Sequence, residues 1–208
     1  MSAQPDRDAA LEQYRRRAGV YDLELALFEP IRRDAIALLA PQRSETVIDF
    51  GCGTGLSLPL LRAAVGAAGH VVGIEQSPDM IERARRRAAS RRWRNVELIC
   101  APAETARWHG KADAALFHFT HDLLQRPEAV AHALGMLRPG ARVVATGLRW
   151  APHWALAVNA GVYLAARRSI TTLAGLDRPW RELERQLGPM HSTSRLMAAV
   201  YIAQGQRH

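Results

Sequence analysis

From residue 45 onward, apolar positions fall into short runs broken by glycine, proline and polar residues. ETVIDF, HVVGIE, NVELICA, ADAALFHF and GARVVATGLRW have the length and β-branched content of strands. The last of them is entered through LRPG, which reads as a turn. LSLPLLRAAVGAA, SPDMIERARRRAASRR and RPEAVAHALGML lie between the strands and read as helices. The first should end near Gly66 or Gly69. The second has Ser77 as N-cap and Pro78 at its first position, and Pro127 opens the third. Apolar strands alternating with helices predict an α/β fold, with a parallel sheet covered on both faces.

The flanks follow a different rhythm. Arg7 to Arg17 is polar and helix-prone. Asp22 to Leu39 carries Leu23, Leu27, Ile31, Ala35 and Leu38 at steps of three and four, with Pro30 starting a new helix or kinking this one. This predicts a helical arm over residues 1–40 in front of a domain over 41–208. Trp154 to Arg167 and Arg178 to Leu187 read as helices, and the last 19 residues as two short strands with no helix between them.

The stretch VIDFGCGTG, Val47 to Gly55, closes the first strand in three glycines. Ligands of open parallel sheets bind at the carboxyl ends of strands. Gly51, Gly53 and Gly55 let backbone approach a ligand there, and the next helix points its amides at it. The spacing is G-x-G-x-G. It is neither the dinucleotide G-x-G-x-x-G nor the triphosphate-binding loop with its lysine. Asp49 precedes the glycines, and Glu75 ends the next strand 20 residues after Gly55. An acid at that point accepts hydrogen bonds from ribose hydroxyls.

VIDFGCGTG, GIEQSPDMIERAR and MLRPGARVV together resemble the class I S-adenosylmethionine-dependent methyltransferases, nearest the small-molecule, quinone and lipid methylating type. The likeness covers roughly residues 44–148. It implies a Rossmann-like, doubly wound sheet of seven strands with the last one antiparallel. It also implies S-adenosylmethionine as cofactor, released as S-adenosylhomocysteine, with no metal. Asp49 would approach the amino group of the methionine part, lined by Gly51, Cys52, Gly53 and Gly55. Glu75 would take the ribose hydroxyls, and Gln76 and Met80 would flank the adenine. One departure is visible: Pro102 stands where relatives carry an acid for the adenine amino group. The Ala103 amide is still able to bond the ring, and either adenine recognition is weaker here or Glu104 substitutes.

Methyl transfer from a sulfonium is a displacement in which the protein aligns partners and excludes water. A base is needed only if the acceptor must lose a proton. The candidates are His118 and His121, three residues apart, with Asp122 beside them. The resemblance puts His118 next to the transferring methyl. The competing reading has His118 only packing against the methionine part, and His121 and Asp122 capping a helix. An acceptor wall is expected from Tyr14, Tyr21, His121, Arg149, Trp150, His153 and Trp154. Alternatively, the tryptophans anchor the following helix. The segment at about 150–188 reads as a substrate-side insertion.

Charge adds a bias. Lys and Arg number 28 against 20 acids, for a net +8. That favours anionic partners. RARRRAASRRWR, Arg83 to Arg94, reads as a solvated helix face or as a peripheral contact with an anionic membrane. Nucleic acid is disfavoured, because no base-flipping motif, catalytic cysteine context or RNA-binding domain is present. Two cysteines, Cys52 and Cys100, and a polar N-terminus point to the cytoplasm. Trp154 to Ala166 is the longest apolar stretch and is shorter than the about 20 residues a membrane span takes. The expectation is a monomer or homodimer that methylates an N or O atom of a small acceptor, such as a secondary metabolite or an aromatic or quinone-like compound. A phospholipid headgroup is the alternative acceptor. A dinucleotide-dependent oxidoreductase and a non-catalytic cofactor-binding domain are the rivals of other classes.

Overall fold

A computed structural model describes residues 28–208. Along the chain run α1 (Glu29–Leu39), β1 (Thr46–Phe50), α2 (Leu58–Val65), β2 (His70–Glu75), α3 (Pro78–Ser90) and β3 (Val96–Cys100). Then come β4 (Ala112–His118), α4 (His121–Leu124), α5 (Pro127–Gly135) and β5 (Leu137–Leu148). Last are α6 (Leu156–Ser169), α7 (Arg181–Leu187), β6 (His191–Arg195) and β7 (Val200–Gln206). All seven strands join one sheet in the order β3-β2-β1-β4-β5-β7-β6. β1 to β5 pair in parallel, and β7 runs antiparallel to both β5 and β6. The doubly wound α/β sheet with an antiparallel last strand is therefore as expected. Strand order reverses between β1 and β4, the point where such sheets bind ligands.

The pleat sorts strand residues onto two cores. Val47, Ala114, Leu116 and Val144 face one side, where Ile31, Ala35 and Leu39 of α1, Leu58 and Leu61 of α2, and Val162 and Ala166 of α6 cover them. Ile48, Phe50, Phe117 and Ala145 face the other, under Val130 and Ala133 of α5 and Leu183 and Leu187 of α7. Each fully buried large aliphatic side chain contributes about 1.5–3 kcal/mol. The sheet edges are blunted by polarity: all five residues of β6, HSTSR, are exposed, and β3 is only partly buried.

Several boundaries differ from the sequence reading. Pro30 is not one of these: it lies in the first turn of α1, after Phe28, in line with its reading as the start of a helix. LRPG is no separate turn. β5 begins at Leu137, and a register shift lets residues 138–141 bulge between the Ala112–Leu137 and Ala114–Arg142 pairs. α2 begins only at Leu58, because the glycine loop runs on in turns and bends to Ser57. α6 begins at Leu156, two residues beyond Trp154. α3 forms as expected, with the Ser77 hydroxyl accepting from the Met80 amide at 3.4 Å. The segment Arg7–Arg17, the residues before Phe28 in the second helical stretch, Tyr14 and Tyr21 lie outside the described residues.

Candidate active site

β1 ends at Phe50, and the Gly51 and Cys52 amides both donate to the Ile74 carbonyl of β2, at 2.8 and 3.1 Å. That pins the loop across the strand ends. Gly51 has φ +67°, and a Cβ there would meet Thr120 Cγ2 at 2.4 Å. Gly55 has φ +79°, and its Cβ would lie 2.6 Å from Leu58 Cδ1. Both positions demand glycine on two independent grounds. Cys52 is buried, and burial pushes its thiol up, with Asp49 and Glu75 adding to the rise. It stays protonated and is no nucleophile.

Glu75 is 7% exposed and held by backbone alone. Its Oε1 accepts from the Ser77 amide at 2.8 Å and its Oε2 from the Gly53 amide at 3.1 Å. Burial raises its carboxyl above the usual range, and those amides oppose the rise. Each oxygen keeps acceptor capacity, since a carboxylate offers about four lone-pair sites.

Beside this carboxylate opens a cleft of about 800 Å³, counting space continuous with solvent. Gly51, Gly53, Glu75, Gln76, Met80, Ala103 and Glu104 all line it, so the fold brings most of the expected cofactor set to one place. Glu104 pairs with Arg126 at 3.1 Å, and both line the cleft. Sequence reasoning missed Arg126, Phe119, Thr120 and Ile170 as lining residues. Phe119 sits at φ +57°, unusual for a non-glycine, and no local pattern announces it.

Asp49, Gly55, Cys52 and His118 do not line that cleft. Asp49 is 1% exposed, and neither carboxylate oxygen has a hydrogen-bond partner. Burial raises its pKa to about 7, Arg32 pulls it down and Glu75 pushes it further up. Both ring nitrogens of His118 are also buried without partners. Burial, then Arg32, hold that imidazole well below its ordinary value, so it is neutral.

Asp122 is occupied by Thr171 and not by the His121 ring, whose Nδ1 is buried without a partner. His121 Nε2 lies 2.9 Å from the Ala174 carbonyl, which can only accept, so Nε2 carries the proton. Burial lowers this histidine, opposed first by Asp122. Asp122 accepts from the Thr171 amide at 2.9 Å and the Thr171 hydroxyl at 2.8 Å. Its carboxyl is raised by burial and lowered by the Thr171 bonds. The two side chains, both lining the cleft, tie the chain after α6 against α4.

Arg149, Trp150, His153 and Trp154 share the sheet end with the glycine loop, but none lines this cleft. The Arg149 guanidinium stacks over Trp180 at 5.5 Å, and the Trp150 amide donates to the Leu176 carbonyl. His153 is exposed, and Trp154 is 76% exposed. On α3, Arg87 reaches the Thr54 carbonyl at 3.1 Å, while Arg83, Arg85 and Arg86 face solvent. Among the described residues no helix is long and apolar enough to cross a membrane.

Residues 47–140 match a family model described as a methyltransferase domain. The aklanonic acid methyltransferase DauC of a Streptomyces species is 39% identical over 89 residues, 42% of this chain and 40% of that protein. Nocamycin O-methyltransferase of Saccharothrix syringae is 30% identical over 135 residues, 64% of this chain and 48% of that protein. The match thus spans less than half the length of either relative. Among solved structures, a methyltransferase from Aquifex aeolicus superposes with TM-score 0.64 at 15% identity, covering 92% of this chain and 98% of that one. The N-methyltransferase NodS of Bradyrhizobium japonicum, in complex with S-adenosylhomocysteine, gives TM-score 0.63 at 16% identity, over 86% and 87%. At these identities the structural likeness speaks for the fold.

Proposed function

We propose that this chain, whose residues 47–140 form a class I S-adenosylmethionine-dependent methyltransferase domain, methylates an oxygen or nitrogen atom of a small organic acceptor. The observation that carries the reading is Asp49: a carboxylate 1% exposed, beside the glycine loop, with no partner for either oxygen. A buried carboxyl without a hydrogen bond is costly unless a ligand supplies the donor. The ammonium of an amino-acid group is such a donor. Glu75 stands at the cleft with spare acceptor capacity for a ribose diol, and Met80 and Ala103 offer apolar cover to a flat base. When bound, S-adenosylmethionine supplies a methyl group already activated on sulfur.

The chain's own part is alignment and dryness. Gly51 and Gly53 bring backbone to the ligand, and Asp49 and Glu75 fix its two polar ends. His118 is neutral and buried, and its lowered pKa makes it a poor proton acceptor in the ligand-free chain, which favours its packing against the methionine part. His121 lines the cleft, donates its Nε2 proton to Ala174 and keeps Nδ1 as an unpartnered acceptor, so it can also take a proton from an acceptor. A small organic acceptor is supported by the names of the two relatives, an aklanonic acid methyltransferase and a nocamycin O-methyltransferase, and an oxygen nucleophile by the second.

Calorimetric titration of the chain with S-adenosylhomocysteine and with NAD tests the donor. Binding of the first and not the second is expected, and the reverse would overturn the reading. A panel of phenols, carboxylic acids and amines with labelled methyl donor then tests the acceptor. A product one methyl group heavier is expected from at least one class, and donor binding with no turnover on any class or on cell extract would leave a binding domain.

A further inference from the structure

We propose that the chain docks on an anionic lipid surface through an apolar rim made by α6 and the β6–β7 turn, at the end of the sheet where the cleft opens. The docking does not depend on which ligand the cleft holds. Among the described residues seven large hydrophobic side chains are exposed, and six of them lie in these two segments. Trp154, Leu156, Tyr163 and Leu164 belong to α6 and the residues leading into it. Leu196 and Met197, the latter 80% exposed, stand at the tip of the β6–β7 hairpin. Both segments leave the sheet at its carboxyl end. Val200 pairs with Leu148, the last residue of β5, and the Arg149 amide donates to the Ala199 carbonyl. α6 ends at Ser169, and Ile170, the next residue, lines the cleft.

A surface helix ordinarily buries an apolar stripe and shows charge to water. α6 buries Val162 and Ala166, yet its exposed residues from Leu156 to Leu164 carry no charge. Asn159, within that stretch, is spent on the Ala151 and Pro152 carbonyls. The hairpin tip reaches the same result through its backbone. Leu196, Met197 and Ala198 have φ of 48°, 53° and 69°, a left-handed conformation that costs energy for side chains of this kind. That cost holds a leucine and a methionine out in water. Apolar side chains gathered in this way mark a docking surface.

Charge says what covers it. Between Arg149 and Leu176 the sequence has Arg167 and Arg168 and no Asp or Glu. Both arginines are exposed in the last turn of α6. At the hairpin, Arg195 pairs with Asp34 of α1 at 3.0 Å, so the acid there is matched. Tryptophan, tyrosine and leucine beside arginine is the composition of a helix that lies in a lipid interface. The apolar side chains enter the acyl boundary and the arginines meet anionic headgroups. At 14 residues α6 is too short to span a bilayer and long enough to rest on one.

The test is co-sedimentation of the full chain with vesicles of phosphatidylcholine, alone or mixed with phosphatidylglycerol. The wild type should pellet with the mixed vesicles and much less with phosphatidylcholine alone. Leu156→Ser combined with Leu164→Ser should weaken partitioning to the mixed vesicles by about tenfold. Arg167→Gln combined with Arg168→Gln should lose the preference for phosphatidylglycerol. Should either double variant not fold, Met197→Ser tests the other half of the rim, and weaker pelleting is again expected. A wild type that stays in the supernatant with both vesicles overturns the proposal. So does pelleting that survives every one of these variants, which would move the contact to another surface, such as the arginines of α3. A wild type that elutes as a dimer, with the leucine double variant a monomer, also overturns it, because a second copy then covers the rim.

Discussion

The two sides of the cleft treat buried polar groups in opposite ways. On the side of the α1 face, Arg32, Asp49 and His118 are buried with atoms that no protein group satisfies. On the side of the 150–188 segment most polar groups pair with the fold, Nδ1 of His121 and the Thr120 hydroxyl being the exceptions. Asp122 takes two donors from Thr171, and His121 takes the Ala174 carbonyl. Asn159 accepts from the Ala151 amide at 2.9 Å and donates to the Ala151 carbonyl at 3.3 Å. An unsatisfied buried polar group costs about 1–3 kcal/mol, and more when charged. A chain that solves this problem repeatedly on one side and leaves it on the other marks the unsolved side as a binding site. The paired side is mostly scaffold that holds the cleft open.

The sharpest way to break this contrast is through the stability of the ligand-free chain. The folded Asp49 carboxyl holds its proton up to a pH of about 7, whereas an ordinary one releases it near 3.8. The folded state therefore binds more protons between those values, and wild-type stability falls as pH rises across that window. Asp49→Asn removes this slope. Its stability advantage over wild type should grow by up to about 4 kcal/mol between pH 4 and pH 8, read from denaturant melts. A pH-independent difference would show that Asp49 is already satisfied. Next in size, Glu75→Ala should cost about 1.5–3 kcal/mol of S-adenosylhomocysteine affinity by calorimetry. Unchanged affinity would remove Glu75 from the ribose site.

On the paired side the signature inverts. Asp122→Ala leaves the Thr171 amide without its acceptor and should cost about 1–3 kcal/mol of stability, with a much smaller loss in cofactor affinity. A larger loss in affinity than in stability would blur the distinction. The smallest effect is on binding against pH. Affinity for S-adenosylhomocysteine should rise about fivefold from pH 6 to pH 7 as Asp49 ionises, and flatten near pH 8 where Asp49 is almost fully ionised. A flat profile would mean that the ammonium goes elsewhere.

What could be read from the chain alone was what local backbone chemistry dictates. The glycine loop announces itself because Gly51 and Gly55 each need both a positive φ and space, and Ser77 with Pro78 signals the start of α3. Glu75 follows from strand length and spacing. The remainder depends on residues far apart in sequence. Asp122 reads as a helper to His121 until Thr171, 49 residues on, is seen to occupy it. Arg32 carries no motif, and only the packing of α1 on the sheet buries its guanidinium. LRPG has the composition of a turn, but pairing with β4 draws Leu137 into the sheet and turns the rest into a bulge.

The central claim is that the unpaired Asp49 of the α1 face awaits the ammonium of an amino-acid end. Thermal melts of wild type and Asp49→Asn at pH 8, each with and without saturating S-adenosylhomocysteine, test it most directly. The account predicts that Asp49→Asn is the more stable chain alone and gains little from the ligand, while wild type gains enough to close or reverse the difference. Equal gains for both chains would contradict it.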